Sequence, residues 1–174
     1  MEISLIDLSI LIEPFVPWKN NEPNYKGASL ALIKGELNSF NQKYIPATSI
    51  SILGEMNLII NQKSSLVNID DERRNLMENI LKDFFKRSVK VGLKKEAIEI
   101  CNEIFSIDSR IKPLDALHIA TAISENFKNF IFIDYDLKDN DKIKRFTKEK
   151  SLNLINFGIK ENMDIKRTNY FPSL

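Results

Sequence analysis

The sequence predicts an α/β domain in which a central, mostly parallel sheet carries helices on both faces. Two observations predict this class, and a third places a site on it. Short apolar runs of strand length alternate along the chain with longer segments whose apolar residues recur at helical spacing. That alternation is the signature of strand–helix–strand units, whose crossovers leave neighbouring strands parallel. The third observation is that four acidic residues stand inside runs otherwise built for burial. In parallel sheets, ligands bind outside the carboxyl ends of the strands.

The elements follow in order. Ile3 to Asp7 is a first strand ending in an acid. Pro14, Pro17 and Pro23 then punctuate a loop that also holds Trp18 and Tyr25. From Ala28 to Asn41, the spacing of Leu30, Ile33, Leu37 and Phe40 predicts one helix. Tyr44 to Thr48 is a second strand, and Ser49 is placed to cap a helix reaching Ile60. Leu76, Ile80, Leu81 and Phe84 predict a helix from Asp71 to Lys86. A short strand from Ser88 to Val91 follows, then a helix from Lys94 to Phe105 carrying Ala97, Ile98, Cys101 and Ile104. Pro113 occupies the first helical position that proline favours and opens a helix to about Glu125. Phe130 to Ile133 is a strand, Asp139 to Lys150 a charged helix and Leu152 to Ile155 a last strand. Residues 1–156 are expected to form one domain, with 157–174 a tail of no assigned structure.

Composition sets limits on function. A chain of 174 residues makes one domain able to bury a core. With 43% hydrophobic and 28% charged residues it reads as soluble and globular rather than disordered. Lysine and arginine number 25 against 24 acids, so any nucleic-acid site must come from local arrangement, not a global basic excess. Cys101 is the only cysteine, which excludes an intrachain disulfide and a cysteine zinc site. His118 is the only histidine, so a bound cation would be held by oxygen, which favours Mg²⁺ or Mn²⁺. The opening MEISLIDLSILIEPF lacks a basic leader and carries acids in its apolar stretch, and no apolar run reaches membrane length. The expected compartment is the cytoplasm.

Asp7, Glu55, Asp115 and Asp134 lie within ISLIDLSILI, SISILGEMNLII, PLDALHIATAI and FIFIDYDL. A buried carboxylate is costly unless its charge is compensated, and no lysine or arginine neighbours any of the four in these runs. A shared divalent cation is an economical partner. Asp7 ends the first strand, Glu55 lies in the helix after the second, Asp115 begins its helix and Asp134 ends the following strand. In a parallel sheet these places share one edge. Singly, each acid has an ordinary reading: Asp115 as complement to a helix dipole, Glu55 as a solvent-facing residue, Asp7 and Asp134 as turn residues.

At these residues the sequence resembles the PIN domain family, in particular its VapC-type toxins. The likeness runs in order from about residue 3 to 155. It comprises Ile6-Asp7-Leu8-Ser9-Ile10-Leu11, then Ser49 with Glu55 six residues on. Lys112-Pro-Leu-Asp115-Ala-Leu-His-Ile-Ala-Thr-Ala122 follows, and Ile131-Phe132-Ile133-Asp134 closes the set. Phe132 stands where the family usually has Thr or Ser. The resemblance implies a PIN-like three-layer α/β/α fold and a metal-dependent endoribonuclease acting on RNA with Mg²⁺ or Mn²⁺. It further implies an antitoxin partner and a homodimer. It assigns Asp7, Asp115 and Asp134 to the metal, and Glu55 to the metal or to the attacking water.

Other residues carry weaker expectations. Ser9 should hydrogen-bond near Asp7. His118, one turn after Asp115, could face the pocket, although packing against the sheet is the commoner role. Asp136 is the rival of Asp134; the first residue past the strand is favoured because Leu137 stands three after Asp134, as in the resembling motif. The basic stretches Lys82 to Lys95 and Lys142 to Lys150 could track phosphates or simply face solvent. Trp18 with Tyr25 could stack a base, though loop packing is commoner. An aspartyl-nucleophile phosphatase usually has a second Asp two residues after the first, where this chain has Ser9. A PIN-like scaffold that binds RNA or protein without cleaving is the remaining alternative.

Overall fold

The computed structural model describes residues 1–15, 26–61, 71–133 and 135–157. Five strands form one sheet: β1 (Glu2–Ile6), β2 (Tyr44–Ser49), β3 (Val89–Val91), β4 (Asn129–Phe132) and β5 (Asn153–Asn156). Their order is β3-β2-β1-β4-β5, and every pairing is parallel. In register, Leu5 of β1 lies between Ala47 of β2 and Phe130 of β4. The chain leaves the central β1 toward β2 and β3, then returns to the other side through β4 and β5. The strand order therefore reverses at the β1–β4 seam, and the crevice at its carboxyl end is the switch point where such sheets bind ligands.

Helices fill the crossovers. After β1 come α1 (Leu8–Ile12), a 3-10 turn at Glu13–Phe15, α2 (Lys26–Lys34) and α3 (Asn38–Asn41). After β2 come α4 (Ile50–Asn61) and α5 (Asp71–Arg87); after β3, α6 (Lys95–Ile107) and α7 (Pro113–Ser124); after β4, α8 (Tyr135–Lys138) and α9 (Asp141–Glu149). All four residues of β4 are buried, as befits a strand covered on both faces. Phe130 and Phe132 project to the same side, their rings 5.8 Å apart, and lie in one core with Leu5, Ile6, Phe84 and Ile119. Helix α7 buries Ala116, His118, Ile119, Ala120, Thr121 and Ala122, and its small side chains let it sit close to its neighbours.

The helix expected over Ala28 to Asn41 is broken into α2 and α3. Gly35 has φ +75°, and the Glu36 N–H bonds Ala31 O at 2.8 Å while the Gly35 N–H bonds Leu32 O at 3.0 Å. This is a left-handed helix stop of the Schellman kind, for which glycine has no side-chain penalty. Asn126 and Ser151, also at positive φ, end α7 and α9 in the same way. The charged helix expected from Asp139 likewise begins later, at Asp141, because the Asn140 side chain caps the Ile143 N–H at 3.2 Å. Phe157, grouped with the tail by the sequence, is fully buried, and its N–H bonds Phe132 O at 2.8 Å. Trp18, Tyr25, Pro17, Pro23 and the rest of the tail fall outside the described residues. Among the described residues no helix is long and apolar enough to cross a membrane.

Candidate active site

Asp7 is placed by the end of β1. Its N–H bonds Ile131 O at 2.9 Å, which carries the β1–β4 pairing one residue further. It is also the N-cap of α1: its Oδ2 accepts the Ser9 N–H at 3.0 Å and the Ser9 hydroxyl at 2.6 Å. The Ser9 hydroxyl oxygen in turn accepts the Ile133 N–H at 2.9 Å. Ser9 thus ties the acid at the end of β1 to the backbone leaving β4, across the switch point. A small hydroxyl two residues after the acid is what this geometry requires.

The other oxygen of Asp7 meets the only histidine. His118 Nδ1 lies 3.0 Å from Asp7 Oδ1, and the imidazole is 1% exposed. An ionised carboxylate only accepts, so Nδ1 is the donor in this bond. On the far side of the ring, Nε2 lies 3.7 Å from Glu55 Oε2, beyond hydrogen-bond range, and is buried without a hydrogen-bond partner among the described residues. His118 is therefore a buried residue of α7 that also stands between Asp7 and Glu55. On the sequence alone, a lone histidine on an apolar helix reads as a core residue. Its spacing of three from Asp115, which puts both on one face of α7, was the available signal.

The electrostatics follow from this arrangement. Burial pushes the Asp7 carboxyl up, but the hydrogen bond and charge of His118 and the two donors of Ser9 outweigh it and leave the group below its ordinary value. Glu55 goes the other way: burial raises it, His118 opposes that rise, and the nearby Asp7 charge adds to it. Two carboxylates on either side of one imidazole thus respond oppositely, because Asp7 accepts three hydrogen bonds that oppose its burial.

Asp115 begins α7, half-buried, and lines a cavity of about 510 Å³ together with Asp108, Arg110 and Lys112. Ser49 is 1% exposed and acts as a helix cap, its oxygen accepting the Ile52 N–H at 3.3 Å and sharing a 2.8 Å bond with the Ser51 hydroxyl. Phe132 fills the core where the resemblance expects a hydroxyl. Asp134, and the side chain of Asp136, lie outside the described residues. The structure thus brings Asp7, Ser9, Glu55 and His118 together and sets Asp115 one turn along the same helix. Among the described residues no group of three or more acids, histidines or cysteines is arranged to hold a metal ion. The donor chemistry still suits a hard divalent cation, because the acidic side chains present offer carboxylate oxygens.

No family model matches the sequence, and no curated protein matches it. Solved structures do resemble the fold. A chain of the VapBC2 complex from Rickettsia felis, solved bound to a DNA fragment from its promoter, is 18% identical with a TM-score of 0.54, over 89% of this chain and 98% of that one. VapBC-5 of Mycobacterium tuberculosis, a member of the VapBC family of toxin–antitoxin systems, is 14% identical with a TM-score of 0.54, over 90% and 99%. FitAcB from Neisseria gonorrhoeae is 16% identical with a TM-score of 0.52, over 88% and 96%. The all-parallel sheet in the order β3-β2-β1-β4-β5, with helices packed against it, is a PIN-like three-layer α/β/α fold, as in these structures.

Proposed function

We propose that this chain is a metal-dependent endoribonuclease and the toxin half of a toxin–antitoxin pair. The observation that carries this reading is the meeting of Asp7 and Glu55, with Ser9 and His118, at the carboxyl end of the β1–β4 seam. That VapBC-5, one of the similar structures, belongs to a family of toxin–antitoxin systems supports the biological role and an antitoxin as partner. A homodimer belongs to the same proposal.

Asp7, Asp115 and Asp134 would hold Mg²⁺ or Mn²⁺, with Glu55 as a further ligand or as the group that orients the attacking water. The cation would lower the pKa of a bound water and stabilise charge developing on the phosphate. The protein's own residues do the remaining work. Ser9 and His118 fix both oxygens of Asp7, so its carboxylate cannot rotate away from the site. Glu55, whose carboxyl is raised by burial, is suited to accept a proton from water.

A second reading, a PIN-like scaffold that binds RNA or protein without cleaving, is favoured by one feature: both oxygens of Asp7 already have protein donors. Cleavage of mixed RNA with Mn²⁺ and with chelator separates the two. Asp7→Asn, Asp115→Asn and Asp134→Asn should each abolish metal-dependent cleavage with the fold intact, and Asp136→Asn should change it little. Full activity in a well-folded Asp7→Asn protein would overturn the assignment.

A further inference from the structure

The cavity beside Asp115 holds an arginine set in place by the protein itself. Arg110 Nε donates to Asp108 Oδ1 at 3.0 Å and Nη2 to Asp108 Oδ2 at 3.0 Å. Asp108 is held in turn by the Asn140 amide, which donates to Oδ2 at 3.0 Å from the start of α9. The Asp108 side chain is 5% exposed while that of Arg110 is 83% exposed. The carboxylate is therefore sunk into the loop between α6 and α7, and the guanidinium stands on the cavity wall.

Loop closure alone does not explain an arginine here. The turn is made by Asp108 Oδ1 accepting the Arg110 backbone N–H at 3.1 Å, a bond any residue but proline could supply. An ion pair with one partner this exposed contributes little to stability. What the pairing does is orient. A guanidinium has five N–H donors in a rigid fork, and Asp108 takes only the Nε and one Nη2 hydrogen, which leaves the Nη1 end for a bidentate acceptor. A phosphate is such an acceptor. Lys112 and Lys142 line the same cavity; of its four acids, Asp108 is engaged by Arg110, Asp141 pairs with Lys144 at 3.2 Å, Asp115 belongs to the proposed metal site and Asp139 is exposed to solvent.

We propose that Arg110, locked by Asp108 and Asn140, is a binding subsite for a backbone phosphate of single-stranded RNA next to the one at Asp115. The proposal rests on the nuclease reading above and adds to it how the strand is held. A pre-set fork binds phosphate without first losing side-chain entropy, so its contribution goes into substrate affinity rather than the chemical step.

The test is binding of a short fluorescein-labelled single-stranded RNA in chelator, followed by cleavage kinetics in Mn²⁺. Arg110→Gln should weaken binding about five- to tenfold, and the slope of log affinity against log salt should fall by about 0.7 for one lost contact on a single strand. KM should rise while kcat stays near wild type. Arg110→Lys keeps the charge but not the fork, and should recover less than half of the loss on a logarithmic scale. Lys128→Gln, an exposed charge before β4 at the opposite edge of the sheet, should bind like wild type. Asp108 keeps the Asn140 amide and its backbone donor when the guanidinium is removed, so the variants should remain folded, and binding is read well below each variant's own melting temperature. Wild-type binding in Arg110→Gln, or full recovery in Arg110→Lys, overturns the subsite. If RNA cleavage is lost in Asp115→Asn yet indifferent to Arg110, the subsite fails and the nuclease stands. If the wild type neither binds nor cleaves RNA, the nuclease reading fails with it.

Discussion

Replacing His118 with alanine removes the donor that faces a carboxylate only 7% exposed, 111 residues away in sequence. A hydrogen bond to a charged group contributes roughly 1.5–3 kcal/mol. Truncating a fully buried ring adds a packing loss of about 1–2 kcal/mol, so His118→Ala should cost about 2.5–5 kcal/mol. Asp7 keeps its two Ser9 donors, which is why the loss stays below that of a buried charge left wholly unpaired. For a domain of this size the melting temperature should fall by roughly 5–20 °C. The informative experiment is a double-mutant cycle by urea unfolding. In an Asp7→Asn background the amide needs less compensation, so the His118→Ala penalty should shrink by at least about 1 kcal/mol. The pH dependence has a definite sign. The folded Asp7 carboxyl lies below its ordinary value, so the stability it supplies is full above the unfolded value and is lost as pH falls through the folded one. The His118→Ala penalty should therefore diminish in acid. Equal penalties in both backgrounds, within about 0.5 kcal/mol, would mean that His118 only packs and would refute the argument.

Three other outcomes follow from the same geometry. If the carboxylates bind a cation, the wild-type melting temperature should rise with Mn²⁺ concentration by mass action, and Asp115→Asn should lose most of that rise; thermal melts indifferent to millimolar Mn²⁺ would count against the site. Glu55 has a raised folded value, so its favourable contribution is present below its unfolded value and is lost as pH rises through the folded one. Glu55→Gln should accordingly melt no lower than wild type at neutral pH, with any advantage vanishing in acid, and a clear destabilisation at neutral pH would contradict this. Ser9→Ala removes the hydroxyl bonded to both Asp7 and Ile133, and should cost about 1–3 kcal/mol by chemical unfolding, whereas Ser9→Thr should recover part of it.

The sequence by itself determined the five strands and the longer helices between them, and the strand end on which Asp7 falls, because both are local. Periodicity fixes element type, and an acid at the end of an apolar run marks a strand's carboxyl end in any parallel sheet. It also showed the Ser49 cap and the Ser9 position, since both bonds reach only two or three residues along the chain. The stop at Gly35 was present in the sequence as a glycine, yet the apolar spacing through Leu37 and Phe40 concealed it. Tertiary structure decided the rest. That His118 reaches Asp7 depends on the register of β1 with β4 and on the rotation of α7 above them, which no local pattern encodes. That Phe132 turns into the core beside Phe130, and that Asn140 holds Asp108 across 32 residues, depends likewise on how finished elements pack. Local hydrogen bonds and spacing can be read from a chain because their geometry is set within a turn or two. A site assembled from four crossovers cannot, because each contact waits on the placement of the others.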